Sequence, residues 1–183
     1  PEFSDSGRVV RYDRSTGKFD TLGVIMVPKP KVEASGSANS RSVSIRRVPM
    51  APEDAWGVAP DGRIGVARIV TDEVQWWLPD GKRITGPPVP SFPVKVTEAD
   101  KRAWQAQQAR SGINVNNNNG QITVSPAPSK PEPIDPSIQW PATKPAFPAN
   151  AVRVAPTGDL WELRSTPASD PLPLYYVFDG SGK

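Results

Sequence analysis

The sequence predicts an all-β protein built from small antiparallel sheets of four strands each. Three observations support this prediction. Residues 51–90 contain four short runs rich in β-branched and apolar residues, separated by turn-forming residues that include two Asp-Gly pairs. Part of this pattern recurs near the carboxy terminus. The 23 prolines among 183 residues favour many short elements and long loops, and argue against a helix-rich fold.

The segment 51–90 is predicted to be one complete sheet. Its first two strands meet at Asp61-Gly62 and its last two at Asp80-Gly81, where glycine can adopt the positive φ that a tight hairpin turn requires. A short polar link joins the two hairpins, so the simplest topology is a four-stranded antiparallel meander. The predicted strands cover residues 55–59, 63–69, 73–78 and 83–85.

The same unit recurs along the chain. Residues 151–158 repeat the pattern of residues 55–62, and residues 175–178 match residues 74–77. The amino-terminal run 9–18 resembles only the second half of the unit. The chain therefore opens partway through one repeat, completes a second and breaks off within a third. Self-similarity of this kind predicts sheets packed face to face in an array, because no single unit can bury both of its faces.

The amino-acid sequences of the repeats also support a resemblance to a known protein family. The runs DAWGVAPDGRIGVAR, EVQWWLPDGK, GPPVP, PVKVTEADKRAW and AVRVAPTGDLWELRSTPASDPLPLYYVFDGSGK, which span most of residues 7–183, resemble a family of six-bladed β-propeller proteins from environmental bacteria. The blades of that family are similar to NHL repeats. The resemblance implies that the sheets are propeller blades and that the family's chains extend further at both ends. It brings no catalytic signature.

We therefore expect antiparallel four-stranded blades of a partial β-propeller, with one short helix in a long inserted loop. A blade takes roughly 40 to 45 residues, so the chain spans about half a ring. An arc leaves sheet edges and an uncovered face at each end. We expect another protein chain, or the rest of its own precursor, to complete them. The predicted divisions are a partial blade with a basic connector at 1–50, a complete blade at 51–90, an insertion at 91–150 and a partial blade at 151–183.

The insertion is predicted to begin with a helix. Thr97 can cap the first backbone N–H groups, and Glu98 and Asp100 suit the positive end of the helix dipole. The helix should run to about Arg110, with Trp104 at the centre of its apolar side. It either docks across the end of a blade or protrudes as a contact element for another protein, and we favour docking.

Two further parts of the insertion follow the helix. Apolar alternation on both sides of Asn119-Gly120 is compatible with a projecting hairpin and equally with a mobile tip. Residues 125–148 are so rich in proline that we expect an extended strap without regular hydrogen-bonded structure. Trp140 and Phe147 are its expected anchors.

Composition excludes several chemistries. The chain has no cysteine and no histidine, which removes disulfides, thiol chemistry and the commonest general base and transition-metal ligand. No nucleophile motif of a hydrolase is present. We therefore predict no catalytic residues, no metal and no cofactor, and hence no enzyme. The sequence contains no run of about 18 apolar residues that would span a membrane. With a net charge of +3 and no basic stripe interleaved with aromatics, nucleic acid is not an expected partner.

Candidate partner-binding residues come from the aromatic residues and from one basic segment. Alternation sends Trp76 and Trp77 to opposite faces of their strand, and most of Trp56, Trp76, Trp77 and Trp161 are expected in the core between blades. Residues 28–48 form the most basic segment, either a patch for an acidic partner or a solvated loop with an edge strand at 42–48, and we favour the loop. The candidates are Trp77, Trp104, Trp140, Phe147, Arg46 and Arg47.

Two functions are compatible with these observations. The favoured one is a non-catalytic interaction or scaffolding module, an accessory subunit in the periplasm or elsewhere outside the cytoplasm. It would join a larger, membrane-associated assembly through a partner or through an amino-terminal anchor outside this sequence. The alternative is a propeller that binds or hydrolyses a small ligand at the mouth of its central channel.

Overall fold

The structure confirms a mostly β-sheet protein with antiparallel sheets and one short helix among the residues it describes. This computed structural model describes residues 4–37, 40–111, 113–118, 121–126, 133–134, 136, 138–170 and 172–183, with the backbone alone described for the parts of 33–46 and 108–126 among them. In chain order the elements are β1 Ser6–Asp13, β2 Lys18–Met26, β3 Lys31–Ser37, β4 Ser40–Arg46, β5 Ala55–Val58, β6 Ile64–Arg68, β7 Glu73–Trp77, β8 Arg83–Thr85, α1 Glu98–Ser111, β9 Ile113–Asn118, β10 Gln121–Pro126, β11 Val152–Val154, β12 Leu160–Leu163 and β13 Tyr175–Phe178.

Three of the sheets form the body of the described structure. The amino-terminal sheet pairs β1 with β2, the middle sheet has the order β5-β6-β7-β8, and the carboxy-terminal sheet has the order β11-β12-β13. The middle sheet is the four-stranded meander that the sequence predicts. Two separate hairpins, β3-β4 and β9-β10, lie in the connections that lead from one sheet to the next.

The middle sheet lies between the other two because alternation gives it two apolar faces. Val74 and Trp76 belong to a core shared with the carboxy-terminal sheet, while Trp77 belongs to a second core shared with the amino-terminal sheet. Both cores consist of aliphatic and aromatic side chains, so burial of apolar surface holds the stack together. The first core contains Ala55, Ala59, Ala67, Val74, Trp76, Phe147, Ala151, Val152, Leu160 and Phe178, and the second Val9, Ile25, Ile64, Val66 and Trp77.

Four turns at one end of the stack share one geometry. Each turn has five residues. The N–H of its first residue donates to the carbonyl of its fifth, and the N–H of its fourth residue donates to the carbonyl of its first, as in the turn from Ala59 to Arg63. The fourth residue is glycine with positive φ, 84° at Gly62 and 87° at Gly81. The predicted Asp-Gly turns are thus confirmed, and the turns at 155–159 and 179–183 repeat them.

Strand pairing agrees with the correspondence of positions that the sequence repeat indicates. Ile64 pairs with Trp77 in the middle sheet, and the corresponding Leu160 pairs with Phe178 in the carboxy-terminal sheet. The two sheets are therefore built on one pattern over their first three strands.

The insertion leaves the stack through a short ladder that the sequence does not predict. Lys95 bridges Thr143, and the N–H groups of Val96 and Lys144 donate to the carbonyls of Ala142 and Val94. The expectation that residues 125–148 lack regular hydrogen bonding is therefore wrong at this ladder, and also at Pro126, which closes β10 opposite Ile113. Proline excludes only its own N–H from such pairing, so the non-proline residues between prolines remain free to pair.

Within the insertion, the predicted helix and a hairpin after it are present. Thr97 caps α1: its hydroxyl accepts from the Asp100 N–H at 3.3 Å, and its own N–H donates to the Asp100 carboxylate at 2.8 Å. The two strands of this hairpin pair antiparallel, whereas Asn119 and Gly120 lie outside the described residues.

Candidate interaction surfaces

The outer face of the amino-terminal sheet exposes an apolar cluster. Tyr12 and Phe19 pair across β1 and β2 with ring centroids 4.9 Å apart, yet Phe19 remains 74% exposed. Val10 and Val24 are also exposed, whereas Val9 is buried against the middle sheet. One face of this sheet is therefore core, and the other presents aromatic and aliphatic side chains to solvent.

The outer face of the carboxy-terminal sheet has the same character. Trp161 is 43% exposed and Val177 is 51% exposed. The Trp161 ring lies 5.9 Å from that of Tyr175 on the neighbouring strand. On the opposite face, Leu160 and Phe178 are buried against the middle sheet. Exposed apolar clusters are typical of surfaces that contact another polypeptide.

The exposed positions of the carboxy-terminal sheet correspond to buried positions of the middle sheet. By strand register, Trp161 corresponds to Gly65, and Val177 corresponds to Trp76, which is fully buried. Gly65 lies so close to the next sheet that a Cβ there would collide with Leu160 Cδ1. The face that the middle sheet buries against its neighbour is therefore the face that the carboxy-terminal sheet leaves open.

Ionic links reinforce the contacts between sheets. Arg68, at the end of β6, donates to the Val24 carbonyl of the preceding sheet at 3.0 Å and lies 2.9 Å from the buried Asp54 carboxylate. The corresponding residue in the next repeat, Arg164, reaches back to Asp72 of the middle sheet with two hydrogen bonds of 2.9 and 3.2 Å. An arginine at or just after the end of the second strand thus ties each of these two sheets to the one before.

Arg164 also neutralises a buried carboxylate. Its guanidinium lies 2.5 Å from Glu162 and 4.9 Å from the centre of the Tyr176 ring. Burial raises the pKa of Glu162 above its ordinary value, although Arg164 acts in the opposite direction. A carboxylate that is desolvated in this way depends on its cation.

A cleft of about 1060 Å³ lies beside the stack. Its walls come from parts of residues 27–30, 47–53, 100–107, 144–150 and 163–170, together with Leu172 and Pro173. Proline, which has no N–H, recurs in the walls beside side chains that can donate hydrogen bonds, such as Arg47, Gln107 and Ser165. The lining prolines are Pro28, Pro30, Pro145, Pro148, Pro167 and Pro173.

The charged groups in the cleft are mostly engaged. Asp100 forms an ion pair with Lys144, whose ammonium also donates to the Thr166 carbonyl at 2.6 Å. Burial raises the pKa of Asp100, but hydrogen bonds from Lys144 and Thr97 outweigh burial and hold the pKa below its ordinary value. Burial raises the pKa of Glu53, against the opposing charge of Arg47. The cleft thus combines apolar walls with charged groups that are mostly engaged with one another, and its volume is that of a small-molecule pocket.

The structure places the predicted partner-binding residues in three different environments. Trp77 is 3% exposed, with Arg83 above its ring, and Phe147 is buried in the first core. Trp104 lines the cleft and packs edge-to-face on Trp140 at 5.5 Å. Arg47 lines the cleft as an exposed residue.

The remaining candidate, Arg46, ends β4, and its side chain lies outside the described residues. The structure therefore does not gather the six candidates into one site. A contact of any of them with a partner stays a prediction.

The sequence predicts most of the strand tryptophans as core, which holds for Trp76 and Trp77 only. Trp56 is 44% exposed and Trp161 lies on an outer face. Alternation assigns a side chain to a face, but whether that face is covered depends on the neighbouring sheet. The residues missed as surface candidates are Tyr12, Phe19, Trp161, Tyr175 and Val177. The sequence repeat could have revealed their exposure, because these residues fall in the first and last sheets of the stack, each of which has a neighbour on one side only.

Comparison with known proteins does not identify a relative: no family model, no curated protein and no solved structure matches the chain. No helix in the described part of the chain is long and apolar enough to cross a membrane. Among the same residues, no group of three or more His, Cys, Asp or Glu side chains is placed to hold a metal ion.

Proposed function

We propose that this chain is an arc of a β-propeller and works as a non-catalytic protein-interaction module whose two outer sheet faces are covered by further sheets. One observation carries the proposal: Trp161 and Val177 are exposed at positions where the middle sheet buries the corresponding residues. A repeat that has buried this face once is expected to bury it again.

The shape of the exposed faces supports a sheet as the covering element. Each outer face is a row of alternating side chains on a β-sheet, and its opposite face already packs on a sheet through aliphatic and aromatic contacts. Sheets pack face to face at about 10 Å with side chains from both interdigitating. Small polar ligands would gain little from such a surface.

Site-specific photocrosslinking tests the proposal. A photoreactive phenylalanine analogue replaces Tyr12 or Tyr175 in the native full-length protein, with Phe92 as control, because Phe92 is 79% exposed but lies outside the strands. We expect polypeptide crosslinks from Tyr12 and Tyr175 and none from Phe92. Mass spectrometry then maps the crosslinked segment. Absence of crosslinks from both face positions would exclude the proposal.

The cleft favours a second function, binding of a small ligand. Its volume of about 1060 Å³ suits a ligand of drug size, and Trp104 offers an aromatic wall. Ligand-observed NMR with a fragment set, on the wild-type chain and on Trp104→Ala, tests this function. We expect fragments that bind the wild type and lose binding in the variant. If the fragments bind both chains equally, or if no fragment binds either chain, the cleft is ruled out as a ligand site.

A further inference from the structure

We infer that the element covering the outer faces is a second copy of this chain, packed head to tail. In this arrangement, the outer face of the carboxy-terminal sheet of one copy contacts the outer face of the amino-terminal sheet of another. The inference deepens the proposed interaction function and rests on it.

The direction of packing follows from contacts inside the chain. The middle sheet buries its Trp76 face against the sheet that follows and its Trp77 face against the sheet that precedes. We call these the forward face and the backward face. The outer face of the carboxy-terminal sheet, with Trp161 and Val177, corresponds to a forward face. The amino-terminal sheet presents its forward face, with Val9, to the middle sheet, so its outer face is a backward face.

Every sheet-to-sheet contact in the stack joins a forward face to a backward face. The chain therefore carries one half of this contact at each end: a forward face at Trp161 and a backward face at Tyr12. A second copy supplies both missing halves without any new type of contact. Among the sheets that the structure describes, no contact joins two forward faces, so a symmetric pairing of Trp161 faces would have no precedent there.

Both faces have the side chains that such a contact needs. The backward face offers the Tyr12 and Phe19 rings with Val10 and Val24 beside them. The forward face offers Trp161, Tyr175 and Val177. Aromatic residues dominate the energetics of protein contacts. A head-to-tail contact is heterologous, so repeating it generates a closed ring or an open filament.

Cysteine crosslinking tests the inference cleanly because the chain contains no cysteine. Thr21 pairs with Val10 across β1 and β2, which places both on the backward face, and Val177 lies on the forward face. Thr21→Cys and Val177→Cys chains of different mass, mixed and mildly oxidised, should form the mixed disulfide dimer. Each variant oxidised alone should stay mostly monomeric. Phe92→Cys in place of either partner serves as the control and should abolish the mixed dimer.

A chain carrying both Thr21→Cys and Val177→Cys reports on closure. A covalent dimer or a ladder of larger species supports head-to-tail packing, as a ring or a filament respectively. A chain that stays monomeric at every concentration overturns the inference. So does a dominant Val177→Cys homodimer, which would show symmetric pairing of forward faces.

Sedimentation velocity gives an independent measurement on the unmodified chain. We expect the average mass to rise with concentration in the wild type, and Trp161→Lys to abolish that rise while its circular dichroism spectrum is retained. The two proposals fail differently. If photocrosslinks from Tyr12 and Tyr175 lead to another protein or to a further segment of a longer precursor, the second copy is excluded and the interaction function stands. If no crosslinks form, both are excluded.

Discussion

Asp13 stabilises the turn between β1 and β2 by accepting three hydrogen bonds. The donors are the Ser15 N–H at 2.8 Å, the Ser15 hydroxyl at 2.7 Å and the Thr16 hydroxyl at 2.9 Å. The hydrogen bond from the Ser15 hydroxyl is the largest cause that lowers the pKa of Asp13 from 3.8 to about 2. The folded pKa is below the unfolded one, so this contribution to stability is present above pH 3.8 and is lost as the pH falls through about 2.

NMR titration of the Asp13 side chain tests this assignment. We expect a midpoint of about 2 in the wild type and a clear upward shift toward 3.8 in Ser15→Ala. Asp80 serves as the internal control, since its lowered pKa comes from Lys82 and should not move in Ser15→Ala. An unchanged Asp13 midpoint in the variant would assign the shift to another cause.

Asp54 joins two sheets through one buried carboxylate. It accepts from the Met26 N–H at 2.8 Å and from the Ile69 N–H at 2.9 Å, and it pairs with Arg68. Asp54→Ala leaves two backbone donors without this acceptor, so we expect a loss of about 2–4 kcal/mol in the free energy of unfolding. Urea denaturation measures it. Asp80→Ala, in an exposed turn, should cost much less, and equal losses in both variants would contradict the role of Asp54.

At the scale of elements, the link between β12 and the middle sheet should depend on pH through Glu162. Burial raises its pKa above 4.5, opposed by Arg164. Between pH 4.5 and the raised pKa, the folded protein therefore holds a proton at Glu162 that the unfolded chain has released. Stability from this group is therefore greatest at low pH and falls as the pH rises from about 4.5 through the raised pKa.

Glu162→Gln isolates this effect because it keeps the size of the side chain and removes its titration. We expect the wild type to lose stability relative to Glu162→Gln across that pH window, and the difference to become level above it. Asp80→Asn provides a control of opposite sign, since hydrogen bonds donated by Lys82 lower the pKa of Asp80. Chemical denaturation at a series of pH values measures both. A difference for Glu162→Gln that does not change with pH would contradict the prediction.

Gly65 sets the close approach of β6 to the carboxy-terminal sheet. A Cβ there would collide with Leu160 Cδ1 and lie 3.1 Å from the Trp76 ring. Gly65→Ala should therefore destabilise the chain by about 1–3 kcal/mol through overpacking. In a Leu160→Val background the colliding methyl is gone, so the same substitution should cost less. A double-mutant cycle by urea denaturation measures the coupling, and additive losses would show that the contact is not the cause.

Element by element, sequence predicts what is local. The Asp61-Gly62 and Asp80-Gly81 turns, the strands between them and the Thr97 cap all follow from adjacent residues. Contacts between residues that are distant in sequence cannot be predicted in this way. Arg164 and Asp72 meet only because two sheets stack, and the ladder at Thr143 forms only because the insertion returns beside Lys95. The exposure of Trp161 likewise depends on whether another sheet follows it.

At the scale of the whole molecule, the free energy of local opening should vary along the stack, because some sheets are covered on both faces and others on only one. The strand β6 is buried on both faces, between the amino-terminal sheet and the carboxy-terminal sheet. The strand β12 occupies the corresponding position in its own sheet, with hydrogen-bonded neighbours on both sides, but its outer face exposes Trp161. The two strands thus differ mainly in the packing above them.

Native-state hydrogen exchange compares the two strands directly. Amides of β6, which run from Ile64 to Arg68, should exchange more slowly than amides of β12, from Leu160 to Leu163, because an opening that frees β12 need uncover only one core. The comparison belongs at low protein concentration, where copies do not associate. Raising the concentration should slow exchange in β12 more than in β6 if a second copy covers Trp161. Equal protection of both strands at low concentration would show that the stack opens as one unit.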